Sequence, residues 1–185
     1  MGKSKNKILY LLAGAPGSGK STWVHNHIGY VDPRSRIVSR DAIRFMLLRD
    51  GDDYFSKEDE VWKTFVDKIK YFLNSYDVMT VFADATHLNE KSRSKLLYAL
   101  GDSLKDVEVN IIVMDTPLAV CLERNEQREG IKKVPRGQVR RMFYSFTMPT
   151  LDEGFDNIIT YTKVGDIVKY TIERKDPNES GMDNI

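Results

Sequence analysis

One segment of the chain has the glycine spacing of a phosphate-binding loop and matches the pattern G-x-x-x-x-G-K-[ST] at every position. Glycines allow the backbone to wrap a phosphate group with its N–H groups pointing inward. Lys20 would bring a positive charge to the β- and γ-phosphates, and the Ser21 hydroxyl is a ligand for Mg²⁺. We therefore predict a site for ATP, or another nucleoside triphosphate, with Mg²⁺. Its residues are Gly14, Ala15, Pro16, Gly17, Ser18, Gly19, Lys20, Ser21 and Thr22.

An acidic and a basic residue follow the second predicted strand, at the sheet edge where α/β proteins bind ligands. Asp41 could accept the proton of an acceptor hydroxyl and direct that hydroxyl at the γ-phosphate. Arg44, one helical turn later, shares the same helix face and could hold a phosphate. The alternative is that Asp41 only caps the helix and that Arg44 is solvated.

Two further arginines, Arg124 and Arg128, are four residues apart and would project from one face of a helix. Guanidinium groups that reach across a nucleotide can stabilise charge on a phosphoryl group in transfer. Residues 124–141 contain seven Arg or Lys against two Glu, a local surplus of +5 in a chain of net charge +1. The alternative is a solvated, charged helix.

The elements that must position these residues are strands alternating with helices. Apolar runs at 7–13, 37–39, 78–83 and 107–114 predict strands, and helical periodicity marks 20–30, 41–49, 56–76 and 89–100. Residues 158–172 predict a last strand or a hairpin. Such alternation is typical of an α/β protein. We predict a P-loop NTPase/kinase fold with a central parallel sheet of about five strands, helices on both faces and an Arg-rich helical lid.

Length and composition exclude several other classes of protein. We predict a single domain over residues 1–175, with the lid at about 124–146 and a flexible tail at 176–185. The only cysteine, Cys121, lies in an apolar stretch and is expected to be buried rather than to form a disulfide. Because no apolar run approaches the roughly 20 residues that span a bilayer, we expect no membrane association and a cytoplasmic location. The sequence does not indicate an oligomeric state.

Four separated stretches together resemble the 5′-hydroxyl polynucleotide kinases, in particular the kinase half of the phage enzyme. They are the loop at 14–22, the R-D-x-x-R element at 40–44, the segment Asp84-Ala85-Thr86-His87-Leu88-Asn89, and R-N-x-x-R at 124–128 followed by Val134-Pro135. The stretches occur in family order, between about residues 8 and 150. The loop is shared by many kinases, whereas the two arginine elements are more specific.

The resemblance implies catalytic roles for several of these residues. Asp41 is similar to the general base that activates the 5′-hydroxyl, and Lys20 and Ser21 are similar to the phosphate and metal residues. Arg128 is similar to the lid arginine of the transition state, with Arg124 beside it at the nucleotide.

The resemblance also implies an acceptor site for a nucleic acid 5′-end. Arg44 is similar to the residue that holds the phosphate next to the acceptor hydroxyl. Thr86, Val134 and Pro135 would line the acceptor pocket, and Asp84 would support Mg²⁺.

Two other functions stay open at this point. Residues 149–155 are similar to a wider set of small P-loop kinases, which favours a small acceptor such as a nucleoside, a nucleotide or an antibiotic hydroxyl. A nucleotide-binding switch without catalysis is the alternative of another class. An acceptor base and paired arginines argue against the switch, because a switch needs no acceptor base.

Overall fold

The computed structural model describes residues 7–31, 33–164 and 167–175. They form one six-stranded sheet in the order β2-β3-β1-β4-β5-β6. The strands are β1 (Lys7–Ala13), β2 (Ser35–Ser39), β3 (Thr80–Asp84), β4 (Val107–Asp115), β5 (Asn157–Val164) and β6 (Ile167–Arg174). The helices are α1 (Lys20–Val31), α2 (Arg40–Leu47), α3 (Glu58–Asn74), α4 (Glu90–Leu100), α5 (Leu118–Glu126) and α6 (Arg136–Tyr144).

The first five strands are parallel, and β6 pairs antiparallel with β5. This confirms the predicted α/β fold and selects the hairpin over the single last strand. β1, β3 and β4 are nearly continuous apolar runs because helices cover both of their faces. β6 lies at the sheet edge and every one of its residues is exposed.

Two apolar layers hold the helices against the sheet. On one face, Leu9 and Leu11 of β1 belong to a cluster that also contains Phe65 of α3 and Leu96 of α4. On the other face, Leu12 packs in a second cluster that includes α1. Alternate residues of one strand thus serve opposite layers, as the period of two requires. A third, small cluster joins the phosphate loop to α5 and α6, and it contains the buried Cys121.

The parallel register brings the carboxyl ends of the inner strands to one edge. Leu12 of β1 and Ser39 of β2 both stand opposite Asp84, the last residue of β3. The segments that follow these strands therefore meet at one place, which is where parallel α/β sheets bind ligands.

The limits of two helices differ from the sequence predictions in ways that affect the site. Ser39, not Asp41, caps α2, since its hydroxyl accepts a hydrogen bond from the backbone N–H of Ala42 at 3.3 Å. Asp41 lies in the first turn, so the interpretation of Asp41 as a helix cap is wrong. α5 ends at Glu126, and Arg128 lies in the following loop. The predicted placement of Arg124 and Arg128 on one helix face is therefore wrong as well.

A buried ion pair fixes the segment between α6 and β5. The guanidinium of Arg93, in α4, is fully buried and donates to both carboxylate oxygens of Glu153 at 2.6 and 2.8 Å. It also donates to the carbonyl of Thr147 at 2.9 Å. Glu153 in turn accepts from the backbone N–H of Thr150, so one carboxylate holds both the helix and the turn.

Two sequence predictions concern other parts of the chain. The flexible tail at 176–185 lies outside the described residues. Within the described ranges, no helix has the length and apolar character needed to cross a bilayer.

Candidate active site

The phosphate loop is held tightly between β1 and the start of α5. Gly17 has φ of +82°, and a Cβ on it would lie 2.3 Å from the carbonyl oxygen of Cys121. The hydroxyl of Thr116 donates to the carbonyl of Ser18 at 2.9 Å, and Gly14 N–H donates to the carbonyl of Thr86 at the same distance. The sequence motif thus forms a loop that is anchored on both sides, which is what backbone recognition of phosphate requires.

Lys20 is buried at the bottom of this loop. Its ammonium donates to the carbonyls of Gly14 and Ala15 at 2.8 and 2.9 Å and to the Ser18 hydroxyl at 3.3 Å. Burial lowers the pKa of Lys20 to about 8, although the charges of Asp84 and Asp41 oppose this effect. A buried ammonium has lost its hydration, so a bound anion stabilises its charged form strongly. This position therefore suits a phosphate group.

Ser21 and Asp84 form the pair from which a metal site would be built. The Ser21 hydroxyl donates to Asp84 Oδ2 at 2.8 Å. Burial raises the pKa of Asp84, while the hydrogen bond from Ser21 lowers it. Among the described residues no group of three or more His, Cys, Asp or Glu could hold a metal by itself. A hydroxyl and one carboxylate still fit Mg²⁺, which typically completes its octahedral shell with water and phosphate oxygens.

A cavity of about 240 Å³ adjoins the phosphate loop, and Asp41 is part of its lining. Its side chain is 59% exposed, so solvent or an acceptor can reach the carboxylate. Oδ1 accepts from Arg44 Nη1 at 2.5 Å and from the Tyr54 hydroxyl at 3.1 Å. Lys20 and Arg128 line the cavity as well. The structure therefore brings the predicted base, the loop lysine and one predicted lid arginine around one space.

Arg44 is buried, so the alternative that it is solvated is wrong. Its Nη2 donates to Glu58 Oε2 at 2.7 Å, and its guanidinium lies 4.6 Å from the centre of the Tyr54 ring. Arg40 donates to the other oxygen of Glu58. Burial, followed by the charge of Asp41, raises the pKa of Tyr54 to about 12, so this hydroxyl stays a hydrogen-bond donor at neutral pH.

Sequence reasoning did not find Tyr54 and Glu58. Tyr54 lies between α2 and α3, Glu58 is the first residue of α3, and neither has a spacing relation to Asp41 or Arg44. The acidic first turn of α3 was the only available signal, and it is equally typical of an ordinary helix start.

The two predicted lid arginines occupy different places. Arg124 Nη1 reaches the carbonyls of Gly17 and Ser18 at 3.4 Å each, whereas Arg128 lines the cavity with Asp41. The buried Asn125 fixes the segment after them, because its side-chain amide donates to the carbonyl of Val134 at 2.7 Å and accepts from its N–H at 3.1 Å. Sequence reasoning assigned no role to Asn125.

The predicted acceptor residues are brought together in part. Thr86 and Val134 line the cavity. Pro135 is exposed, precedes the first turn of α6 and is not part of the cavity lining. A second cavity, of about 320 Å³, adjoins Gly19 and Thr22 and is lined by Trp23, Arg124 and Tyr161. No motif or spacing in the sequence predicts this second cavity.

Fold and site together define a P-loop protein of the kinase type. Residues 9–149 match the family model of the AAA domain family AAA_33, and the chain belongs to this family. A curated relative, "Transcription factor bHLH140" from Arabidopsis thaliana, is 27% identical over 158 residues. The aligned region is 83% of this chain but only 16% of that protein.

Three solved structures share the fold. A chain of the Pnkp1/Rnl/Hen1 RNA repair complex is 24% identical with a TM-score of 0.55, over 75% of this chain and 43% of that one. A fungal RNA kinase is 14% identical with a TM-score of 0.59, over 87% and 77%. A sugar kinase from Janibacter sp. HTCC2649 is 17% identical with a TM-score of 0.55, over 85% of both chains. At these identities the likeness shows the fold alone.

Proposed function

We propose that the protein is an ATP-dependent kinase that transfers the γ-phosphate to the 5′-hydroxyl of a polynucleotide. The observation that carries this proposal is the cavity in which an accessible carboxylate, Asp41, lies beside a buried arginine, Arg44, and opposite the phosphate loop. A nucleic acid 5′-end carries a hydroxyl followed by a phosphate. Asp41 could activate that hydroxyl while Arg44 binds the phosphate.

The donor side would be held by the loop and its flanking cations. Backbone N–H groups of residues 14–22 and the ammonium of Lys20 would bind the β- and γ-phosphates, and the base would lie in the cavity lined by Trp23 and Tyr161. Ser21 and Asp84 would hold Mg²⁺, which when bound neutralises charge on the phosphate oxygens.

On the acceptor side, the Asp41 carboxylate would accept the proton of the 5′-hydroxyl as the new O–P bond forms. The bond between the γ-phosphorus and the bridging oxygen breaks, and ADP leaves. Arg128 would stabilise charge on the transferred group from the other side of the cavity. The Tyr54 hydroxyl and Arg44 now fill the hydrogen-bonding positions on Asp41 Oδ1, so the acceptor hydroxyl would replace the Tyr54 hydroxyl there.

A kinase for a small acceptor is the second candidate. The cavity volume of about 240 Å³ suits a single nucleoside or sugar, and the fold is shared with a sugar kinase. The balance favours a polynucleotide because Arg44, buried and paired with Glu58, is a preorganised phosphate ligand that a neutral sugar would not use.

The experiment that separates the candidates offers labelled ATP with three acceptors in parallel: an oligonucleotide with a 5′-hydroxyl, a nucleoside 3′-monophosphate and a 5′-deoxynucleotide. We expect labelling of the first two. Labelling of the 5′-deoxynucleotide alone would refute the polynucleotide proposal and leave the small-acceptor kinase.

The role of Asp41 is tested with Asp41→Asn, which should abolish transfer while ATP still binds. Asp102→Asn, at an exposed position outside both cavities, is the matched control and should be fully active. If Asp41→Asn also loses ATP binding, Asp41 has a structural role and is not the base.

A further inference from the structure

Phe55 is an apolar side chain held in an exposed position at the mouth of the active-site cavity. It is 52% exposed although it lines the cavity. Its backbone is not free to turn away: its N–H donates to Asp53 Oδ1 at 3.0 Å, and the ammonium of Lys57 donates to the carbonyl of Leu47 at 2.6 Å. These contacts fix the segment between α2 and α3 against α2. A single exposed apolar ring is common on protein surfaces, but Phe55 differs because it is held at the lining of the active-site cavity.

The Phe55 ring lies next to the groups that would bind the acceptor. Its centre is 4.7 Å from that of Tyr54, in an edge-to-face arrangement with 80° between the planes. The guanidinium of Arg44 is 5.8 Å from the centre of the Phe55 ring and 4.6 Å from that of Tyr54. A phosphate bound to Arg44 would thus be within one nucleotide of the Phe55 ring face.

The lid supplies further apolar side chains to the same cavity. Val134 and Met142 line it and are half-buried. The cavity is therefore lined by apolar and aromatic side chains as well as by charged residues such as Lys20 and Asp41. A ligand that suits both parts has a flat, uncharged ring joined to a hydroxyl and a phosphate.

We propose that Phe55 is the stacking platform for the terminal nucleobase of the acceptor, an inference that rests on the proposed function. The Asp41 carboxylate would take the 5′-hydroxyl and Arg44 the following phosphate, while the base of the same nucleotide stacks on the Phe55 ring. Because every base has a π-face, the platform requires a base without selecting its identity. The kinase would therefore discriminate against 5′-ends that lack a base.

The test uses two oligonucleotides that differ only at the 5′-terminal nucleotide, which carries either a base or an abasic tetrahydrofuran, each with a free 5′-hydroxyl. For the wild-type protein we expect KM to be about tenfold higher for the abasic end. Phe55→Ala should raise KM for the normal end by a similar factor and leave KM for the abasic end unchanged. Phe55→Trp should keep the preference. Tyr98→Ala, which removes a 91% exposed aromatic ring from α4, is the control and should have no effect.

Each alternative outcome overturns the proposal in a recognisable way. Equal KM values of the wild-type protein for both ends mean that no base is bound. An equal loss of Phe55→Ala on both ends means that the ring only supports Arg44. If the wild-type protein labels neither oligonucleotide but labels a small acceptor, the polynucleotide function itself fails and the platform fails with it.

Discussion

The contact between Gly17 and Cys121 leads to a sharp prediction for Gly17→Ala. A residue with a Cβ at positive φ costs about 1–2 kcal/mol. Here the added Cβ would also lie 2.3 Å from a backbone oxygen that belongs to the first turn of α5, and such overpacking costs a further 1–3 kcal/mol or so. Since the contact atom is backbone, it cannot swing aside. The total penalty is roughly 2–5 kcal/mol.

The loop can avoid this penalty only by leaving its phosphate-binding conformation. We therefore expect Gly17→Ala to weaken ATP–Mg²⁺ binding by at least about 30-fold, the equivalent of roughly 2 kcal/mol. Isothermal titration calorimetry measures the affinity, and thermal unfolding measures how much of the penalty falls on stability instead.

Gly137→Ala is the matched control. Gly137 lies in α6, and a Cβ there would meet nothing within 4 Å. This change should not destabilise the protein, since alanine is a better helix former than glycine, and it should leave ATP binding unchanged. If Gly17→Ala keeps both the ATP affinity and the stability of the wild-type protein, the loop is not held against α5 as described.

Three further predictions concern buried titratable groups. Glu153→Gln leaves Arg93 without its paired charge and should lower the free energy of unfolding, measured in urea, by about 3–5 kcal/mol. The double variant Arg93→Met with Glu153→Leu removes both charges and should lower it by less. Equal losses in the two proteins would contradict this prediction. Lys20 has a pKa of about 8, so it loses its proton, and the affinity for ATP falls, as the pH rises above 8. ATP binding should restore the full charge of Lys20. Calorimetry at pH 8.5 in two buffers of different ionisation enthalpy should then show proton uptake, and identical heats would exclude it. His87 is buried with a pKa lowered to about 4 by desolvation, so the unfolded chain binds the extra proton and stability is lost as pH falls from 6.5 towards 4. Between pH 6.5 and 4.5 the wild-type protein should lose roughly 2 kcal/mol more unfolding free energy than His87→Asn, and parallel pH profiles would contradict that assignment.

The phosphate loop could be predicted from the sequence because all of its determinants are local. Glycine spacing, the lysine and the preceding apolar strand lie within about 15 consecutive residues. The sheet edge could also be predicted, since alternating strands and helices leave few arrangements. Asp41 and Arg44 were found for the same reason: they follow a strand directly.

The surroundings of Arg44 could not be predicted, since they depend on the path of the segment between two helices. Glu58 and Tyr54 reach Arg44 only because Lys57 and Asp53 fix the turn before α3. The sequence likewise contains no stop signal between Arg124 and Arg128. There α5 ends at Glu126, and the side chain of Asn125 binds the backbone of Val134, a contact across nine residues that no periodicity reveals.

The positions of the lid cations bear on how a polynucleotide would be recognised. Of the surplus in residues 124–141, Lys133 and Arg136 pair with Glu126, and Arg124 lies against the loop. Arg128 is the predicted lid cation that lines the active-site cavity, where it would meet the transferred phosphate. Three of the seven cations are thus engaged within the protein, and we predict that they do not contribute to a track for a nucleic acid backbone. Under the proposed function, we predict that recognition is confined to the terminal nucleotide and its phosphate on Arg44. One such contact gives a slope of log affinity against log salt near −0.7 for a single strand, whereas engagement of all five surplus charges would give about −3.5.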